Sequence, residues 1–511
     1  MSLAIADQSS FRAVDPRQLG AFFVAVAVLL LLLSVFAEDS IAYLCVTLPV
    51  LFAIFLWMSY GAFGIPVLPL IATLYYLYYA MPLLIGNTLR IYKTSDLLWA
   101  TLSVGYFLLA ASLAVWPFLA RKRQKPRPVA SVGRASRYVR SVKESSLRNI
   151  SLVGDLNRLI FIGLGAGVLF NAAIAAGQLG FLGSFSGLLR ACVFPLTYVA
   201  CYLTGFARGT GLLTGQRWLL AFGAFIAITA LSMSSLFLVG GAMNIGAVVL
   251  GYVLGTKRLP WAGLITAFAL LSVLNAGKGT MRDMYWVRGS QTVQNVSLIQ
   301  VPAMLADWFV EGISNIGSTA VKARGPSLLE RTSLLHMVLA VQEATPKIIP
   351  YLEGETYTML PQMLVPRFVD PEKIESQAVL NLLSVRYGRE SVEDTAKTTI
   401  GWGMVAEGYA NFGNPGVIVV GAVFGVLCGF LMRLSVTAGP TSIAMLVAIA
   451  STLTLCNVEA DFSYIMVTLF QTIAGVCVFA ALPRLRGRRH AAAGPVPIRR
   501  PIGQIRPPLS R

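Results

Sequence analysis

Two polar residues pose a chemical question inside a very apolar chain. The stretch "GWGMVAEGYANFGNPGV", residues 401–417, holds one acid, Glu407, and one amide, Asn411, just before a long apolar run. Four residues apart, they share one helix face, with Tyr409 elsewhere on the turn. An acid at such an edge is partly desolvated, which suits it to general-base work. Asn411 has the groups to hydrogen-bond a sugar hydroxyl. The plain alternative is that Glu407 caps a helix or pairs with a nearby cation.

Two further stretches carry concentrated positive charge. "GKGTMRDMYWVRG", residues 277–289, leaves an apolar run with Lys278, Arg282 and Arg288 around Tyr285 and Trp286. "LVPRFVDPEK", residues 364–373, sets Arg367 and Lys373 among prolines that restrict the backbone. The guanidinium fork matches phosphate oxygens, so both stretches suit a diphosphate at the membrane surface. The competing readings are snorkelling interfacial cations for the first and a loop ion pair from Arg367 to Asp370 or Glu372 for the second. Arg331 and His336 lie on a helix expected over 328–343, and a lone histidine there also fits a structural role. The chain has only two histidines, which argues against a histidine-built metal site, and the expectation is no metal and no cofactor. GxSxG, HExxH and Walker A patterns do not occur.

These residues need a scaffold, and composition says what kind. The 511 residues are 56% hydrophobic, with a mean hydropathy of +0.70. Runs of about 20 apolar residues read as membrane spans. They fall near 19–37, 40–58, 63–85, 97–119, 157–177, 188–206, 217–235, 237–255, 259–276, 415–433, 440–457 and 463–482. The least secure part of that series is 217–255, which must fold as two short spans. The expected fold is therefore all-α and integral to the membrane, a polytopic bundle of about 12 transmembrane helices with a large outward-facing helical segment. Gly421, Gly425 and Gly429 form a smooth helix face that suits close packing. The six cysteines all sit in apolar runs and read as small buried hydrophobes.

The net charge of +18 is unevenly spread. Residues 277–413 hold twelve basic and fourteen acidic residues, while the excess of positive charge gathers in 121–158 and after 484. That pattern is the positive-inside signal rather than a nucleic-acid surface. With a cytoplasmic amino terminus, the span count puts both basic segments in the cytoplasm and 277–413 outside. The chain divides into a bundle of about nine spans over 1–276, an outer segment over 277–413, three spans over 414–483 and a basic tail over 484–511. In the outer segment Val301, Leu305, Trp308 and Ile316 have helical spacing, and Trp308–Phe309 suits the bilayer interface. Ser327 and Glu330 read as a capping box. Ser391 is expected to cap a helix of roughly twenty residues ending at "GNPG".

The order of these motifs resembles the bacterial O-antigen and exopolysaccharide repeat-unit polymerases, the Wzy type. Pro366–Arg367 and Lys373 match one outer-loop pattern, although no proline follows the lysine. Glu407, Tyr409, Asn411, Phe412 and Gly413 match a second, and the likeness covers roughly 275–430. It implies a membrane glycosyltransferase of the bacterial inner membrane, with both termini cytoplasmic and no nucleotide sugar. The donor would be a glycan on polyprenyl diphosphate and the acceptor one lipid-linked repeat unit. Glu407, Arg367 and Arg282 would be catalytic, with Lys278, Arg288, Arg331, Lys373, Tyr409, Asn411 and His336 binding substrate. Expected partners are the lipid bilayer, a chain-length regulator and a flippase, with no nucleic acid. The rivals are the O-antigen ligase, a metal-using lipid-linked glycosyltransferase with an acid in its first outer loop (here Glu38–Asp39, in too short a loop), and a non-enzymatic lipid-oligosaccharide flippase.

Overall fold

The computed structural model describes residues 16–85, 89, 92–119, 156–176, 178, 185–285, 298–316, 333–365, 369–370, 372–395 and 399–492. The regular structure among the described residues is all helix, with no strand. In chain order the helices are α1 (Pro16–Leu33), α2 (Ser40–Ser59), α3 (Val67–Tyr75) and α4 (Thr94–Leu119). There follow α5 (Leu156–Ala175), then α6 (Phe185–Gly209), α7 (Gly215–Met233), α8 (Leu238–Thr256), α9 (Trp261–Tyr285) and α10 (Val301–Asn315). Shorter helices come next: α11 (Leu335–Ala344), α12 (Glu355–Thr358), α13 (Leu360–Leu364), α14 (Ala378–Arg386) and α15 (Val392–Thr395). The chain closes on α16 (Gly403–Thr437), α17 (Ile443–Leu455) and α18 (Phe462–Ala492).

Among the described residues ten helices are long and apolar enough to cross a membrane, which makes this a multi-pass membrane protein; Gly20–Phe36 and Ile443–Leu455 are shorter apolar helices. Large apolar side chains face outward, among them Phe268 at 76% exposure and Ile265 at 66%, as a hydrocarbon solvent allows. Inside the helices, hydroxyls bond back to their own turn: Thr47 donates to Tyr43 O, Thr101 to Leu97 O and Thr452 to Ala448 O. Such bonds keep polar groups satisfied where no water is present. The insecure stretch 217–255 does divide into two helices, turning at Leu236 with φ 62°.

Glycine sets how closely the helices approach. A Cβ on Gly421 would lie 2.5 Å from Phe107 O, and one on Gly425 would collide with Ala111 O, so α16 lies backbone to backbone against α4. Gly105 brings α4 onto Cys45 O of α2 in the same way. A second pair, α6 and α8, meets through Gly205 against Val248 O and Gly251 against Tyr202 O. The spacing of glycines on α16 is thus a packing device.

Two expectations about residues 277–413 change. Residues 277–285 continue α9 as helix. Trp308 is fully buried, with its Nε1–H donated to Leu274 O; Gly277 against Gly312 lets α10 lie so close to α9 that the indole is enclosed instead of reaching an interface. The twenty-residue helix after Ser391 is divided. Ser391 Oγ accepts from Asp394 N, capping only the single turn α15. The chain then turns at Gly403, φ 71°, whose N–H donates to Glu459 O, and α16 begins there. The expected capping box at Ser327 and Glu330 lies outside the described residues.

Candidate functional site

The site forms where α16 breaks. Phe412 (φ −143°, ψ 18°) and Gly413 (φ 64°, ψ −152°) leave helical geometry within its 35 residues. Pro415 has no N–H to give the Asn411 carbonyl, and its ring crowds that group, so the helix bends here. The freed carbonyls are used by another segment. Leu352 N donates to Ala410 O at 3.0 Å and Glu353 N to Asn411 O at 3.3 Å. Residues 351–358, "YLEGETYT", therefore strap the kink.

Asn411 fastens this strap. Its Oδ1 accepts from Gly354 N at 3.0 Å, and its Nδ2 donates to Thr356 Oγ1 and to Glu407 O, each at 2.9 Å. The side chain is fully buried, so its amide is committed inside the protein. Replacing Asn411 with alanine strands the Gly354 N–H. The expected cost is about 1–3 kcal/mol, read as a lower unfolding temperature in detergent; an unchanged transition would mean that the strap does not need this amide.

Glu407, on the same face one turn earlier, reaches the start of α18. Its Oε2 accepts from Phe462 N at 2.7 Å. Beside it, Asp461 Oδ1 accepts from Tyr464 N at 2.8 Å. Both acids thus sit at one helix N-terminus, where peptide dipoles favour negative charge. Ser463 Oγ donates to Thr356 O at 3.1 Å, tying strap to helix. Glu407 and Asp461 are both fully buried, and among the described residues Glu407 Oε1, Asp461 Oδ2 and Tyr357 Oη have no hydrogen-bond partner. Among the described residues no lysine or arginine is bonded to either carboxylate. Burial, reinforced by the charges of Glu407 and Asp461, keeps the Tyr357 phenol protonated well above its usual range.

Burial pushes the Asp461 carboxyl up to about 6, against backbone N–H bonds that pull it down, Tyr464 first among them. A carboxyl in unfolded chain titrates near 3.9. Between about pH 4 and pH 6 the folded state therefore binds more protons than the unfolded one, so stability falls as pH rises and the full cost is present above about pH 6. Asp461→Asn keeps an oxygen for Tyr464 N. It is expected to flatten the fall in unfolding temperature between pH 5 and pH 7.5; an unaltered slope would assign that fall to other groups.

The remaining sequence candidates lie apart. Tyr409 is half-buried, with Tyr351 and Tyr387 as neighbours. Arg282 and Lys278 lie on α9. Arg282 Nη2 donates to Leu236 O at 3.2 Å, and its guanidinium lies 4.8 Å from the Phe237 ring centroid. That places Arg282 against the α7–α8 turn, beside a second core formed by Met233, Leu274, Met281, Met304 and Trp308. His336 packs on Tyr92 with ring centroids 5.8 Å apart. Lys373 is in the turn where its N–H donates to Asp370 O. Arg288, Arg331 and Arg367 lie outside the described residues. Asp39 caps α2, accepting from Ile41 N and Ala42 N. All six cysteines are free thiols, and no group of three or more histidines, cysteines or acids suited to a metal occurs among the described residues.

Sequence reasoning missed Thr356, Tyr357 and Asp461. A signal for Asp461 is present: "ADFSY" places an aspartate directly before an apolar run, the pattern of an N-cap. Thr356 and Tyr357 carry no such local mark. Compared with protein-family models, with curated proteins and with solved structures, the chain matches none of them.

Proposed function

We propose that this chain polymerises lipid-linked oligosaccharide repeat units on the outer face of a bacterial inner membrane, transferring the growing glycan from polyprenyl diphosphate to an acceptor unit. The observation that supports this most is the buried Glu407–Asp461 pair at the kink of α16. Capping α18 does not by itself require two acids. Two enclosed carboxylates without a bonded cation cost stability, and a glutamine would cap α18 as well. Ionisable groups held at such a cost mark functional sites.

In the reaction the acceptor hydroxyl attacks the anomeric carbon of the donor. The bond to the diphosphate breaks, and the hydroxyl proton passes to Glu407. Because Asn411 and the strap close over Glu407, substrate entry must draw residues 351–358 off the kink. Arg367 and Lys373 would neutralise the leaving diphosphate, as positive charge stabilises such a group; Arg282, held against the α7–α8 turn, lies apart from Glu407.

The test is a gel of surface polysaccharide from a deletion strain complemented with wild type, Arg367→Ala or Glu407→Gln. A single repeat unit on the outer face with no ladder supports polymerase. Full-length glycan retained on the lipid carrier would make the protein a ligase. Units trapped on the inner face would make it a flippase.

A further inference from the structure

The strap across the kink is fastened to both acid-bearing helices at once. On α16, Leu352 N and Glu353 N donate to the freed carbonyls of Ala410 and Asn411, and Gly354 N donates to Asn411 Oδ1. From α18, Ser463 Oγ donates to Thr356 O. Tyr357 stacks on Phe412 (6.5 Å, 19°) and meets Phe462 edge-on (5.8 Å, 88°). Thr356 and Tyr357 thus lie across the place where Glu407 meets the start of α18, and Thr356 is fully buried there.

This strap is a light cover. Its bend uses two consecutive left-handed residues, Glu353 at φ 48° and Gly354 at φ 94°, and a glutamate at such an angle is strained. Glu353, Glu355 and Thr358 are exposed. Residues 351–358, "YLEGETYT", carry two acids and no base. Ionising both buried carboxyls sets like charge beneath a strap that is itself negative.

Opening and ionisation are therefore linked. With the strap shut, both carboxyls are enclosed, which disfavours their charged forms. With it raised, water reaches them and they ionise more readily. The open form binds fewer protons than the closed one, so rising pH favours opening. We propose that residues 351–358 are a proton-linked cover, shut while the Glu407–Asp461 pair retains a proton and released when both carboxyls are ionised. Such a cover works whichever reaction the acids serve.

The surrounding groups narrow the response to this pair. Tyr357 faces it from the strap and Tyr464 from α18, and the Arg190 charge of α6 also acts on Tyr464. Tyr409 has Tyr351 and Tyr387 as neighbours, His336 of α11 lies against Tyr92, and Arg386 donates to Pro350 O at the foot of the strap. Tyrosine and arginine hold their charge state between about pH 4 and pH 7. Of the other carboxyls, Glu353 and Glu355 are exposed already, and Glu459 is engaged by the Tyr78 hydroxyl. What opening uncovers is the enclosed pair. Burial lifts the Asp461 carboxyl to about 6, against about 3.9 for one in water. The proton's contribution to closure is thus complete below about pH 4 and gone above about pH 6.

Hydrogen–deuterium exchange of the full-length protein in nanodiscs, without substrate, reads the cover directly. The Leu352, Glu353 and Gly354 amides lose their acceptors when it lifts. Protection is taken relative to the intrinsic exchange rate at each pH. From pH 5 to pH 7 the protection of these amides is expected to fall roughly tenfold, while that of residues 417–431 in α16 stays level. The double variant Glu407→Gln/Asp461→Asn keeps an oxygen for Phe462 N and for Tyr464 N, and its protection is expected to be the same at both pH values. Wild-type protection that ignores pH overturns the inference without any variant. A fall that persists in the double variant also overturns it. So does one shared by residues 417–431, which would mean that the whole bundle loosens. Polymer made from purified lipid-linked units tests the polymerase reading separately. Linked protection in a protein that makes no polymer keeps the cover and removes the polymerase. Polymer synthesis with protection that ignores pH does the reverse.

Discussion

Glu407→Gln is expected to raise the unfolding temperature of the protein while lowering polymer synthesis by about 10²-fold or more. The two effects share one cause. In the folded protein Glu407 is enclosed beside Asp461, with one oxygen bonded to Phe462 N. Glutamine keeps an oxygen for Phe462 N and takes no proton. Two neighbouring buried carboxyls do not both stay ionised, so glutamine relieves only part of the several kcal/mol that enclosing an acid costs, a gain of roughly 1–3 kcal/mol. The catalytic loss follows because a positioned general base is worth about 10²–10⁴ in rate, and an amide takes no proton. Thermal unfolding in detergent and a ladder assay on the same preparation read both. A stabilised variant that still builds full-length glycan would reduce Glu407 to a costly helix cap. A destabilised one would show that a cation neutralises the pair.

Gly425→Leu is expected to abolish the folded protein. A Cβ at 425 would collide with Ala111 O and come within 2.6 Å of Ala111 Cα. Both obstacles are backbone, so neither can swing aside, and α16 would have to leave α4 along its length. Overpacking a close-packed interior typically costs about 1–3 kcal/mol when side chains can adjust; here the displaced surface is the largest helix contact in the bundle, so the loss exceeds that range. Gly246→Leu is the matched control, because a Cβ at 246 meets nothing within 4 Å. Monodisperse elution of a fluorescent fusion distinguishes them. Normal elution of Gly425→Leu would mean that the helices tolerate separation.

Much of the scaffold was legible before any coordinates, because a span needs only composition and length. The break in α16 was legible for the same reason: "GNPG" removes a donor and supplies the one residue type that accepts φ 64° with ψ −152°. The partners of that break were not. Thr356 reaches Asn411 across 55 positions, and Glu407 reaches Phe462 across another 55. No periodicity encodes such a meeting. Spacing put Glu407 and Asn411 on one face correctly, yet it left open whether that face met solvent or protein, and both side chains are buried. Trp308 shows the same limit. Its helix was readable, but its enclosure depends on Gly277 and Gly312 lying opposite each other in two different helices.

The glycine contacts also impose a timetable on biosynthesis. Gly105 lets α4 settle on α2 as soon as both have left the ribosome. The other flank of α4, at Phe107 and Ala111, awaits Gly421 and Gly425, which are made about 300 residues later. At roughly 5–20 residues per second, that flank stays in the bilayer for about 15–60 s without its mate. A half-made bundle therefore carries an open backbone seam, a natural foothold for an insertion chaperone or a membrane protease. A nonsense codon before α16 would leave that seam open for good, so early truncations should be cleared as quality-control substrates instead of persisting as partial bundles.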